Sequence, residues 1–229
     1  MFLIFIVFLV LSLLVSWRFK SKVNTYSQTA LHHDLSGAEI AEQMLRDNGV
    51  DDVKIITTEG ELTDHYNPLN KTVNLSRDVY YGRNVTAAAV AAHECGHAVQ
   101  HAKAYPYLKF RSAMVPVQNA SARVMNIIIM VMMFGGFFLA KSFPMDIVIY
   151  TLIACQSVIT VFALVTLPVE FDASNRALAW LTNKGIVLQS EHSMAKDALK
   201  WAASTYIVAA IASIATLLYY LQIYMGRRD

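Results

Sequence analysis

Four nearly uninterrupted apolar runs divide this chain: residues 1–17 (MFLIFIVFLVLSLLVSW), 124–140, 146–167 and 203–225. Each is of the length that crosses a bilayer as a helix, and the shortest, 1–17, is extended to the interface by Trp17. The stretches between them follow shorter periods. In SGAEIAEQMLRDNG, residues 36–49, apolar positions recur at helical spacing, Ser36 and Glu39 stand in capping-box register, and Gly49 supplies the stop. In residues 50–76, β-branched residues alternate with polar ones around turn signals at Glu59-Gly60 and Asn67-Pro68, which predicts a small sheet of two or three strands. Residues 85–104 form an alanine-rich helix that Asn84 caps and Pro106 closes, and a further helical segment, 168–202, opens at Pro168.

These patterns predict a mostly α membrane protein with about four transmembrane helices, one short alanine-rich helix and a small sheet of two or three strands. The organisation reads as a membrane anchor at 1–17, a polar domain at 18–123 holding the helix 85–104, and a hairpin through the bilayer at 124–167 with a tight KSFPM turn. A helical segment at 168–202 and a last span at 203–225 follow. The first run lacks a positive n-region and a small-residue cleavage site, so it reads as a retained anchor rather than a signal peptide.

Composition sharpens the assignment. Hydrophobic residues make up 55% of the 229 and charged ones 16%, with a mean hydropathy of +0.40, which is a membrane rather than a soluble balance. A net charge of +2 gives no reason to expect nucleic acid as a partner. The spans hold almost no ionisable residues that could line a transport path, which argues against a transporter. Of the nineteen Lys and Arg residues, sixteen fall in 18–123 and 168–202, against Lys141, Arg227 and Arg228 elsewhere. That asymmetry predicts a cytoplasmic face for the polar segments and an N-terminus outside. Cys95 in the helix 85–104 and Cys155 in a span are badly placed to pair.

The chemistry lies in VTAAAVAAHECGHAVQHA, residues 85–102. Residues four apart on a helix share a face about 6 Å apart along the axis, so the imidazoles of His93 and His97 can meet on one metal ion. Glu94 lies one residue round, off that pair, and can take a proton from a water at the metal's open position. Gly96 inside the helix implies close approach of a neighbouring element, since glycine there costs about 1 kcal/mol. Two candidates compete for the third ligand. His101 continues the face but lies about 12 Å from His93 along the axis, too far for one ion. Glu170, in the first turn after Pro168 in LPVEFDASNRALAWL, completes a two-histidine, one-glutamate set with a position left open. Asp172 is spaced to pair with Arg176. The two membrane crossings between His97 and Glu170 return the chain to the side it left, so the three ligands share one face. A run of only eight apolar residues precedes His93, with Arg83 before it and Lys103 after, so this helix does not itself cross the membrane.

The set makes helix 85–104 zincin-like and predicts one zinc ion held by His93, His97 and Glu170, with Glu94 as general base for peptide hydrolysis. Protein or peptide substrates are expected, membrane proteins among them, and the edge of the strand before the metal helix offers a place for an extended chain to pair. His65 and Tyr66 border that strand, while His32 and His33 read as surface or cap residues. Tyr80, Tyr81, Arg176 and His192 are candidate donors to a developing oxyanion. The competing assignment, from another class, is a zinc-binding membrane scaffold or adaptor without hydrolytic activity, which would need a fourth protein ligand and no role for Glu94.

HECGHAVQHA, the preceding DHYNPLNKTVNLSRDVYYGRNV and the later LPVEFDASNRAL together resemble the YugP-type neutral zinc metallopeptidases, a family of small bacterial membrane proteins. The resemblance implies a membrane-bound, zinc-dependent peptidase with His93 and His97 as ligands and Glu94 as catalytic residue. More distantly the chain is similar to membrane peptidases of the HtpX and CAAX-protease kind. In those, an aspartate four residues beyond the ligand glutamate supports a zinc histidine; here that position is Ser174.

Overall fold

The structure is a computed structural model that describes residues 2–139 and 145–226, with side chains described for 3–134 and 145–226. Its helices are α1 (Phe2–Tyr26), α2 (Gly37–Asp47), α3 (Arg77–Tyr80), α4 (Val85–Ala102), α5 (Pro106–Leu139), α6 (Met145–Asn183) and α7 (Gln189–Met225), and its strands are β1 (Lys54–Thr58), β2 (His65–Asn67) and β3 (Thr72–Ser76). Four of the helices, α1, α5, α6 and α7, are long and apolar enough to cross a membrane. The protein is thus a mostly helical membrane protein with a small sheet, as its pattern predicts.

Two compact units divide the chain, and helices α1, α5, α6 and α7 contribute to both. The first comprises residues 1–12, 110–167 and 206–229. Met125, Leu152 and Tyr220 pack at its centre. Its buried polar groups are satisfied by backbone, as an apolar surrounding requires: Gln156 Nε2 and Thr160 Oγ1 both donate to the Ser213 carbonyl, at 3.0 and 3.2 Å.

The second unit, residues 13–109 and 168–205, contains the metal helix α4 at its core. Ile40, Met44 and Leu45 of α2, Val73 and Leu75 of β3, the α4 alanines, and Ala177, Leu181, Ala195 and Leu199 form one buried cluster. Small side chains on α4 let its neighbours approach. A Cβ added to Gly96 would lie 2.6 Å from the Ala173 carbonyl oxygen of α6, the close approach that glycine at this position implied. Asn84 caps α4 by accepting from Ala87 N–H at 2.9 Å, and Ser36 and Glu39 form the reciprocal capping box of α2. Residues 27–31 hold the entry to α4, with Val85 N–H donating to Thr29 O and Leu31 N–H to Arg83 O.

The sheet has the order β1-β3-β2, with β1 parallel and β2 antiparallel to β3. The strand that precedes α4 in sequence is therefore the central one, and the free edge on the β2 side belongs to residues 65–67. Other boundaries also differ from the pattern. α1 continues to Tyr26, α5 begins at Pro106 rather than near 124, and the last span is the C-terminal part of a helix that starts at Gln189. α4 ends at Ala102, with Lys103 as cap, and Pro106 opens the next helix. Pro168 does not open a helix but lies within α6. A proline ring forfeits one i→i−4 bond, and an apolar helix packed against others tolerates that loss. The expected turn at 141–145 lies outside the described residues, apart from Met145.

Candidate metal centre

One turn of α4 brings His93 and His97 together, their rings edge to face with centroids 4.8 Å apart. Glu170 reaches them from α6, three residues before Ala173, which takes the close contact at Gly96. Its Oε2 lies 3.4 Å from His93 Nε2 and 3.6 Å from His97 Nε2. One ligand atom from each of the three residues falls within 4.8 Å of the others. Two donors about 2.0–2.1 Å from a tetrahedral ion stand roughly 3.3–3.5 Å apart, so the two spacings to Glu170 are close to those of a zinc site, and a small closure of the three side chains would bring all of them to zinc distance. Glu170 is 3% exposed, a burial that a carboxylate sustains only with charged or hydrogen-bonding partners.

The far nitrogen of each imidazole is engaged, which leaves Nε2 of both to face the common point. His93 Nδ1 lies 3.1 Å from Ser174 Oγ, so the residue that stands where an aspartate is usual still contacts the histidine. His97 Nδ1 lies 3.0 Å from Gln100 Oε1. Gln100 is wholly buried and was not among the residues singled out from sequence. Asp172 takes a bond from Gln100 Nε2 at 2.8 Å and also pairs with Arg176, whose Nε is 2.5 Å away. Burial alone would lower the His97 pKa, but the Glu170 carboxylate bonded to it, with Glu94 and Gln100 beyond, raises it above its ordinary value.

Glu94 is buried beside these residues, and its Oε2 accepts a 2.9 Å bond from the backbone N–H of Tyr66 in β2. An amide aimed at Glu94 points away from β3. In an antiparallel ladder, the carbonyl of the same residue points that way too, so the free edge of β2 runs beside Glu94. Asp64 fixes the start of that strand by accepting from Ser76 N–H and Oγ–H, at 2.7 and 3.1 Å. Burial, with the Glu94 charge adding to it, raises the Asp64 pKa against those two bonds.

His101 stands apart from the three donors and bonds Tyr66 Oη through Nδ1 at 2.7 Å. His192 Nδ1 pairs with Thr182 Oγ1 at 2.8 Å, Arg176 is committed to Asp172 and lies over the Tyr105 ring, and Tyr80 and Tyr81 pack edge to face.

Residues 1–225 match the family described as "Putative neutral zinc metallopeptidase". The chain belongs to this family. A curated relative, the "Putative membrane protease YugP" of Bacillus subtilis (strain 168), is 36% identical over 221 residues, covering 96% of this chain and 94% of the relative. No solved structure matches the chain. Membership of a zinc metallopeptidase family makes zinc the metal that this donor set is suited to hold, and it accords with the two nitrogens and one oxygen that converge here.

Proposed function

We propose that this protein is a membrane-bound zinc endopeptidase in which His93, His97 and Glu170 hold one zinc ion and Glu94 acts as general base, with the catalytic face in the cytoplasm. The observation that carries the reading is the convergence of three donors on one point, His97 and Glu170 buried and His93 nearly so, with a second buried carboxylate, Glu94, beside them but held apart by the Tyr66 amide. Zinc, when bound, supplies a Lewis acid that polarises the scissile carbonyl and makes water more acidic.

The residues of the chain do the rest. Glu94 receives the proton of the attacking water and delivers it to the leaving amine. The Tyr66 N–H bond occupies one of its oxygens and leaves the other for the water. A substrate in extended form lies along the free edge of β2 and so passes Glu94; the Tyr66 carbonyl faces that edge, while the Tyr66 N–H is already given to Glu94. The substrates are peptides and proteins, membrane proteins among them. α6 is apolar through Leu167 and carries Glu170 one turn later, which keeps the metal near the headgroups.

Glu94→Gln keeps an acceptor for the Tyr66 amide but cannot take a proton. We expect purified wild type and Glu94→Gln to contain equal zinc, and cleavage of casein or of membrane-protein peptides to fall by about 10²–10⁴-fold in the variant. Retained turnover in Glu94→Gln, or zinc in both with cleavage in neither across a broad peptide panel, would overturn the proposal.

A further inference from the structure

We propose that Gln100 is a positioning residue for the metal centre: it fixes the tautomer of His97, joins that histidine to the Val169 carbonyl beside Glu170, and connects both to the Asp172–Arg176 pair. The inference rests on the peptidase reading above and adds to it a residue outside the ligand set.

The argument begins with what an amide can donate and accept. Gln100 is wholly buried, and its side chain has three partners: Val169 O and Asp172 Oδ2, each 2.8 Å from Nε2, and His97 Nδ1, 3.0 Å from Oε1. A backbone carbonyl and a carboxylate only accept, so the nitrogen end of the amide must face them and the two N–H groups are both used. The oxygen end then faces His97 and can only accept. The proton of His97 is therefore on Nδ1, which leaves the Nε2 lone pair on the side of Glu170. That is the tautomer a metal ligand needs, enforced here by a neutral side chain rather than by a carboxylate.

Two further consequences follow from the same contacts. Val169 is the residue before Glu170, so one side chain locks a ligand on α4 to the backbone that carries the ligand on α6. Asp172 is itself held by Arg176, through Nε at 2.5 Å and a second nitrogen at 3.3 Å, so the acceptor that orients Gln100 has a fixed position of its own. His93 has no comparable constraint in its Ser174 contact, because a hydroxyl can either donate or accept. The carboxylate commonly found next to a ligand histidine is thus present in this protein one residue further away, as Asp172 acting through Gln100.

The test uses the full chain in detergent micelles, with zinc affinity measured by competition against a chromophoric chelator and cobalt(II) absorption as a probe of coordination. Gln100→Leu removes all three bonds and should weaken zinc binding by about 10–100-fold, with a changed cobalt spectrum. Gln100→Glu alone keeps an acceptor for His97 but sets a carboxylate against Asp172 and the Val169 carbonyl, and should also bind weakly. Combining Gln100→Glu with Asp172→Asn reverses the polarity of that contact, since the new amide can donate to the new carboxylate, and should recover part of the lost affinity, the Val169 carbonyl and Arg176 remaining without their partners. A role limited to packing would not produce that recovery, and the pair of variants decides the matter even if Gln100→Leu fails to fold. Zinc binding that is unchanged in Gln100→Leu, or no better in the double variant than in Gln100→Glu, would overturn the proposal while zinc and hydrolysis in wild type left the peptidase reading standing. Wild type that takes up no zinc would overturn both.

Discussion

At the scale of single residues, proton and metal compete for His97. Glu170, Glu94 and Gln100 raise its pKa above the ordinary 6.5 despite burial, so in the metal-free protein the imidazolium persists to higher pH than a free imidazole would allow. A raised histidine pKa contributes stability that is complete below pH 6.5 and is lost as pH rises through the raised value. Zinc binding runs the other way, because the ligand must be neutral. We therefore expect zinc affinity to rise with pH across that window, while the melting temperature of the metal-free protein falls across it. Parallel chelator competition and thermal unfolding over a pH series would check both, and an affinity independent of pH there would remove His97 from the ligand set. The grouping of the three donors was legible in the sequence: i, i+4 spacing puts His93 and His97 on one helix face, and Glu170 joins them although the helix start at Pro168 that pointed to it is absent. Gln100 was not, because its partners Val169 and Asp172 lie 69 and 72 residues away and no periodicity relates them. The Tyr66 contact with Glu94 is made by a backbone amide, which any residue type would supply.

At the scale of elements, the centre depends on how closely α4 and α6 approach. The Gly96 contact with Ala173 sets that distance, and Ala173 lies three residues from Glu170. In Gly96→Ala the new methyl meets backbone rather than a side chain that can turn aside. The cost of overpacking, typically about 1–3 kcal/mol, then exceeds the gain of about 1 kcal/mol from better helix propensity. The variant should melt lower than wild type and hold zinc more weakly, measured by thermal unfolding with and without metal. A higher melting temperature would mean that the helices can separate without loss. Glycine in a helix was a sufficient signal for close approach, though not for its partner. The sheet shows the opposite balance: composition gave strands in 50–76, whereas their order β1-β3-β2 arises from long-range pairing. Pro168 misled for a related reason, since proline marks a helix start in water but can sit within a long helix whose apolar flanks are packed.

For the whole molecule, the ligand set and the topology constrain one another. α5 and α6 are both long and apolar enough to span, and in the proposed topology the chain crosses twice between His97 and Glu170, which puts the two on one side. Sixteen of nineteen Lys and Arg residues fall in the segments of that side, the asymmetry on which the proposed cytoplasmic face rests. Two exposed leucines report on these statements separately. Leu69 is 92% exposed between β2 and β3, and Leu188, 47% exposed, precedes α7. Cysteine introduced at either position, with Cys155 replaced by alanine, gives a single reactive thiol. The remaining Cys95 is fully buried and its pKa is driven upward by that burial, so it is a poor nucleophile. Both Leu69→Cys and Leu188→Cys should resist a membrane-impermeant maleimide on intact cells and react after permeabilisation. Labelling of both from outside would reverse the orientation and leave the metal centre intact. Labelling of only one would break the shared face, and with it the assignment of Glu170 to the same ion as His93 and His97.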